Sequence, residues 1–214
     1  MAGVSQEEFI KTVRDAIGYR DDRLELPKDH SAARVVAESE RLIERFCAMV
    51  TDAKMKLYRV ADASGVSATL VQILKSLDAH KAVVNEDPFP QHDTVVLALR
   101  DADCQQLDLR DRDAPFQADV GITGVRMAIA ETGSIVVTSG SGSRRLASLA
   151  PPEHIAIVEK DQIVPDLLDW AASLGPDMPA NEVLITGPSK TADIEMNLVM
   201  GVHGPRNVHV ILIG

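Results

Sequence analysis

The chain has 214 residues, a formal net charge of −10, and 45% hydrophobic against 25% charged residues, the make-up of a globular domain rather than a disordered or fibrous protein. The acidic balance argues against non-specific binding to nucleic acid or to an anionic membrane surface, and no apolar run approaches the ~20 residues of a membrane-spanning helix. Cys47 and Cys104 stand far apart and form no C-x-x-C pair, which excludes an iron–sulfur cluster or a zinc ribbon held by this chain alone. No H-x-x-x-H spacing suggests a metal site, and no cofactor is expected. The segment M-A-G-V-S-Q-E-E-F is polar and acidic, unlike a signal peptide, so a reducing cytoplasm is the expected compartment.

Taken in order, Ser5-Gln6-Glu7-Glu8 reads as a capping box ahead of a helical stripe of Phe9, Ile10, Val13 and Ile17 that ends near Gly18. Residues 19–30 are charged and loop-like. A longer helix is predicted over Ser31–Asp52, with Val35, Val36, Leu42, Ile43, Phe46, Met49 and Val50 inward. Two helices before any strand make residues 1–54 a helical extension and 55–214 an α/β domain. From Lys56 the texture changes: a strand at Lys56–Val60, a helix at Ser64–Ala79 and a strand at Lys81–Asn85. Thr94–Leu99 fits either helix or strand, and a short strand is predicted at Gln106–Leu109. Val120–Thr123 and Met127–Ala130 are apolar runs separated by Gly124, and the Glu131-Thr132-Gly133-Ser134 turn leads into a β-branched strand at Ile135–Thr138. A short helix to Leu149 is stopped by Pro151-Pro152. His154–Glu159 follows as strand, Gln162–Leu174 as helix, Val183–Thr186 as strand, and Asn207–Ile213 as a last strand. The alternation predicts a three-layer α/β sandwich around a largely parallel sheet, whose ligands collect at the carboxyl ends of the strands.

The richest stretch is Val183–Glu195. Val183–Thr186 reads as a buried parallel strand, Gly187-Pro188 as a break, and Ser189 or Thr191 as the cap of a following helix. Lys190 then stands among free N–H groups, the ingredients of an anion pocket. Asp193 and Glu195 either complement the positive helix end or hold a polar substrate or metal beside it. Three glycine-bearing turns follow predicted strands: Thr123-Gly124, Ser139-Gly140-Ser141-Gly142-Ser143, and Gly187-Pro188-Ser189-Lys190-Thr191. Their amides, with Lys190, Arg144 and Arg145, make a candidate site for phosphate or carboxylate. G-P-S-K-T lacks the glycine gap of a P-loop, and no G-x-G-x-x-G opens a helix. Glu131 ends the apolar run M-A-I-A, where a charge needs solvent or a partner. It is a candidate nucleophile or general base, or it orders the turn with Gly133. His154 and His203 read as structural histidines or as ligands, and His209 as a core or edge residue of the last strand.

Three blocks carry a family resemblance: G-I-T-G-V-R-M-A-I-A-E-T-G-S-I-V at 121–136, S-L-A-P-P-E-H-I-A-I-V at 148–158, and I-T-G-P-S-K-T-A-D-I-E-M-N-L-V-M-G-V-H-G-P at 185–205. They resemble the lactate-utilisation protein C family, which carries the LUD domain. The resemblance implies a NagB/RpiA/CoA-transferase-like fold. It also implies a cytoplasmic role in oxidising L-lactate to pyruvate beside iron–sulfur and cysteine-rich partner subunits, this chain being the cluster-free member. His203 and Gly204, in the third block, are also ligand-binding candidates. Glu131-Thr132-Gly133 is loosely similar to the glutamate nucleophile of related CoA-transferases, without their fuller S-E-N-G pattern. Two other classes stay open: a free-standing enzyme on a phosphosugar, a CoA ester or a folate-like acid, and a non-catalytic assembly module.

Overall fold

The computed structural model describes residues 5–17, 34, 36, 41–85, 89–140, 145–175, 179–194, 197–201 and 203–214, with backbone only at 17, 191–194 and 197–200. The chain divides into two units, residues 1–33 and 34–214. In the first, α1 spans Gln6–Ile17. Ser5 caps it as the sequence suggests, its Oγ accepting from the Glu8 amide at 3.2 Å.

The second unit opens with α2 (Leu42–Asp52), β1 (Lys56–Val60), α3 (Ser64–Ser76), β2 (Lys81–Val84), α4 (His92–Asp101), β3 (Gln105–Gln106), α5 (Ala114–Gln117) and β4 (Val120–Gly124). It continues through β5 (Met127–Ile129), β6 (Ser134–Ser139), α6 (Leu146–Leu149), β7 (Glu153–Glu159), β8 (Ile163–Val164), α7 (Leu167–Ala172), β9 (Asn181–Ile185), β10 (Lys190–Ile194), β11 (Asn197–Met200) and β12 (Asn207–Ile213). Six strands form one sheet in the order β1-β12-β7-β4-β2-β3, every neighbouring pair parallel. A second sheet runs β8-β5-β6-β9, and β10 pairs with β11 as a separate hairpin.

Alternate residues of β7 point to opposite faces, and each face has its own core. Ile155 and Ile157 join Leu70, Ile73 and Leu74 of α3 and Leu99 of α4, while Ala156 and Val158 join Phe46 and Val50 of α2 and Ile135 and Val137 of β6. The result is the three-layer α/β sandwich with a largely parallel sheet that the alternation predicts. One outer layer is helical, and the other combines the second sheet with α2.

Several elements differ from the sequence reading. The helix predicted from Ser31 begins at Leu42, and Arg34, Val36 and Arg41 are non-helical. Thr94–Leu99 lies within helix α4. The strand predicted at Gln106–Leu109 is confined to Gln105–Gln106. The helix predicted from Gln162 starts at Leu167, because Pro165 bars helix through its own position. Asp166 caps it instead, accepting from the amides of Leu168 and Asp169. Val183–Ile185 belongs to β9, antiparallel to β6 in the second sheet rather than parallel in the main one. The helix expected after Gly187-Pro188 is the β10–β11 hairpin, with Lys190 opposite Met200 and Thr191 opposite Val199. β-branched Thr191, Ile194 and Val199 suit extended backbone.

The β5–β6 turn is fixed by Gly133, at φ +70°, where a Cβ would stand 2.6 Å from the backbone of Met49 and Val50 in α2. Gly133→Ala is therefore expected to lower stability by at least about 1–3 kcal/mol, read as a drop in denaturation midpoint. An unchanged midpoint would show that α2 gives way.

Candidate functional site

The turns that precede the amino ends of β7 and β12 are tied together by backbone bonds. The Arg206 amide donates to Pro152 O at 2.7 Å, the Ser189 amide to Pro205 O at 2.9 Å, and the Gly201 amide to Ser189 O at 2.9 Å. Glycine is required in this knot. Gly201 sits at φ +71°, and a Cβ there would fall 2.2 Å from Cγ of Arg206, so the arginine lies across the bare glycine. A Cβ on Gly204 would lie 3.1 Å from that of Ser189.

Against this knot opens a cavity of about 560 Å³. Arg145, Leu146, Leu149 and Ala150 line it from α6 and its flanks, Pro152, Gly201, His203, Gly204 and Arg206 from the tied turns, and Phe116 from α5. Among the described lining residues there are two guanidinium groups and an imidazole, and no carboxylate. Guanidinium forks match carboxylate and phosphate oxygens in pairs, so the arrangement can hold a small anion.

The cavity residues from Leu149 through Gly204 fall in two of the three sequence blocks. The LUD domain family model matches residues 43–213. A lactate utilization protein C from Halalkalibacterium halodurans is 32% identical over 94% of this chain and 94% of its own length. The chain belongs to the lactate utilization protein C family. The protein of that name from Bacillus subtilis is 33% identical over 71% of this chain and 70% of its own. A crystal structure of a DUF162 family protein from Deinococcus radiodurans matches with a TM-score of 0.57 at 26% identity, covering 81% of this chain and 96% of that one.

In this LUD domain the sequence-predicted site residues divide into two groups. His203 and Gly204 line the cavity, as does Arg145. Ser189 is bonded into the tied turns, and the exposed Lys190 follows it as the first residue of β10. Thr191 and Asp193 lie on the β10 backbone. Pro188 is buried. Ser141, Gly142, Ser143, Arg144 and Glu195 lie outside the described residues.

The other candidates do not line this cavity. Gly124, at the carboxyl end of β4, is covered by Phe89, whose Cβ would be 2.7 Å from a Cβ added there. Gly187, at φ +108°, abuts the Ala53 carbonyl beyond α2. Ser139 is buried at the end of β6 and Gly140 faces open space. The backbone of Glu131 donates to Pro165 O at 2.9 Å, and its Oε2 accepts from the Leu167 amide at 3.3 Å. It thus ties the E-T-G turn to the start of α7. Beside it, hydroxyls of Thr132, Ser134 and Thr186 form a chain with 2.6 Å contacts.

Thr123 is fully buried, and its Oγ1 meets His154 Nε2 at 3.0 Å. Nδ1 of His154 has no partner among the described residues. Burial, with nearby His209 adding to it, pulls the His154 pKa down to about 3, so the ring is neutral at pH 7. On the opposite face of the sheet, His209 Nε2 pairs with Glu153 at 2.9 Å and Nδ1 meets the Tyr58 hydroxyl at 3.3 Å. Burial lowers the His209 pKa too, against the pull of Glu153.

Sequence reasoning missed Arg206, Phe116 and the apolar wall of Leu146 and Leu149. Arg206 had one legible signal, a basic side chain directly after His203-Gly204-Pro205. The general expectation for parallel sheets points to carboxyl ends, whereas this cavity lies before the amino ends of β7 and β12.

Proposed function

We propose that this chain serves lactate utilisation as a cytoplasmic, cluster-free subunit, beside iron–sulfur and cysteine-rich partners that oxidise L-lactate to pyruvate. In this reading the chain takes an anionic small molecule between α6 and the turn before β12. The observation that carries the anion site is the cavity wall of Arg145, His203 and Arg206 with no carboxylate among its described residues. The pathway rests on the relatives, which bear the name lactate utilization protein C. Among the described residues no helix is long and apolar enough to cross a membrane.

Calorimetric titration with L-lactate and pyruvate tests the site. Arg145→Ala and Arg206→Ala are each expected to weaken binding by about 1.5–3 kcal/mol, the worth of a charge-assisted hydrogen bond. Both side chains are exposed, so melting temperatures should hold nearly constant. Affinities that do not change in either variant would overturn the anion site.

The subunit reading has its own test. Two separated cysteines cannot supply the cysteine ligands of an iron–sulfur cluster, so the purified chain should not reduce a dye with L-lactate. Adding the iron–sulfur partners should restore the reaction. Dye reduction by the chain alone would sink the subunit assignment.

A further inference from the structure

The cavity is larger and more apolar than lactate requires. At roughly 30 Å³ per non-hydrogen atom, the share taken by water in the liquid, lactate fills less than ~200 Å³ of the available 560 Å³ or so. The remaining space is walled by Phe116, Leu146 and Leu149. Phe116 is the telling residue. Helix α5 buries Ala114 and Pro115, yet leaves Phe116, which lines the cavity, 69% exposed. A large exposed aromatic lining the same cavity as two arginines is a ready stacking surface for a ring whose charged group the arginines hold. We infer that the cavity takes an anion carrying a flat apolar ring, its charged group held by Arg145 and Arg206 and its ring stacked on Phe116. The inference rests on the anion site proposed above and assigns it a ligand class larger than a hydroxy acid.

Phenyl phosphate, cyclohexyl phosphate, inorganic phosphate and L-lactate are suitable probes for titration into the full chain. Phenyl phosphate should bind about tenfold tighter than inorganic phosphate, the order expected for one ring stacked on an aromatic side chain. Phe116→Ala should abolish that advantage, bringing phenyl phosphate to the affinity that inorganic phosphate has for the same variant. An exposed side chain can be removed with little effect on folding, which melting curves would check. Arg206→Ala should weaken phenyl phosphate and inorganic phosphate together. Equal affinity for phenyl and inorganic phosphate, or a phenyl advantage that survives Phe116→Ala, would overturn the ring assignment while leaving the anion site standing. Cyclohexyl phosphate binding as tightly as phenyl phosphate would overturn flatness as the criterion. Indifference of every probe to both Arg145→Ala and Arg206→Ala would overturn the anion site, and the ring assignment with it.

Discussion

Acidification from pH 7 to pH 3 is expected to cost the folded chain about 4 kcal/mol through His154. The unfolded chain takes up its imidazole proton near 6.5, and the folded chain only near 3, because the ring is wholly buried beside Thr123. Between those values the unfolded state binds more protons, so stability falls as pH falls through the window. At 1.36 kcal/mol per pKa unit, the full difference is about 5, of which about 4 is lost by pH 3, where the folded ring is half protonated. His209, also lowered by burial, acts in the same direction. Urea midpoints measured between pH 7 and pH 4 would show the slope. His154→Gln, which keeps an amide for the Thr123 hydroxyl, should flatten it. An equal slope in that variant would assign the acid sensitivity to other groups.

The second large effect lies at Arg126 in the first sequence block. Its Nε stands 2.5 Å from Glu182 Oε1, its second guanidinium nitrogen donates to Oε2 at 3.0 Å, and Trp170 Nε1 donates to the same oxygen at 2.8 Å. The Glu182 side chain is only 6% exposed. The pair thus joins the loop before β5 to β9 and α7. Arg126→Met would leave a buried carboxylate without its cation, expected to cost about 3–5 kcal/mol. Arg126→Met with Glu182→Met should recover much of the loss, because no charge is then stranded. A single variant costing less than about 1 kcal/mol would mean that water serves Glu182 as well as the arginine does.

The sequence carries the central sheet well because its signals are local. β7 is a run of apolar residues buried on both faces, and α3 shows its stripe in Val66, Leu70, Ile73 and Leu74. The hairpin of β10 and β11 was illegible for a physical reason. Lys-Thr-Ala-Asp-Ile has no clean alternation, and the choice between helix and strand is made by the partner Asn-Leu-Val-Met beyond it. The site was legible in part. His203 and Gly204 announce themselves beside a Gly-Pro step, and Arg145 as part of a basic pair. Phe116 could not be foreseen, since only the fold sets its turn beside α6 and the turns before β7 and β12. Glu131 looked chemical because it is a charge after an apolar run. In three dimensions that run is β5, and one carboxylate oxygen accepts from the Leu167 amide at the start of α7.

β12 lies between β1 and β7, and the whole stretch from 61 to 206 separates it from β1. During synthesis, β1 and β7 therefore leave the ribosome facing an empty slot, each with an unmatched row of amides and carbonyls. Such rows recruit strands from other molecules, and pairing between distant segments is slow. The interval before β12 is made is thus the chain's most hazardous. A mutation that weakens β12 would cut the edge strand β1 off from the four strands β7-β4-β2-β3, and its phenotype in the cell would be loss of yield and dependence on chaperones rather than a faulty site.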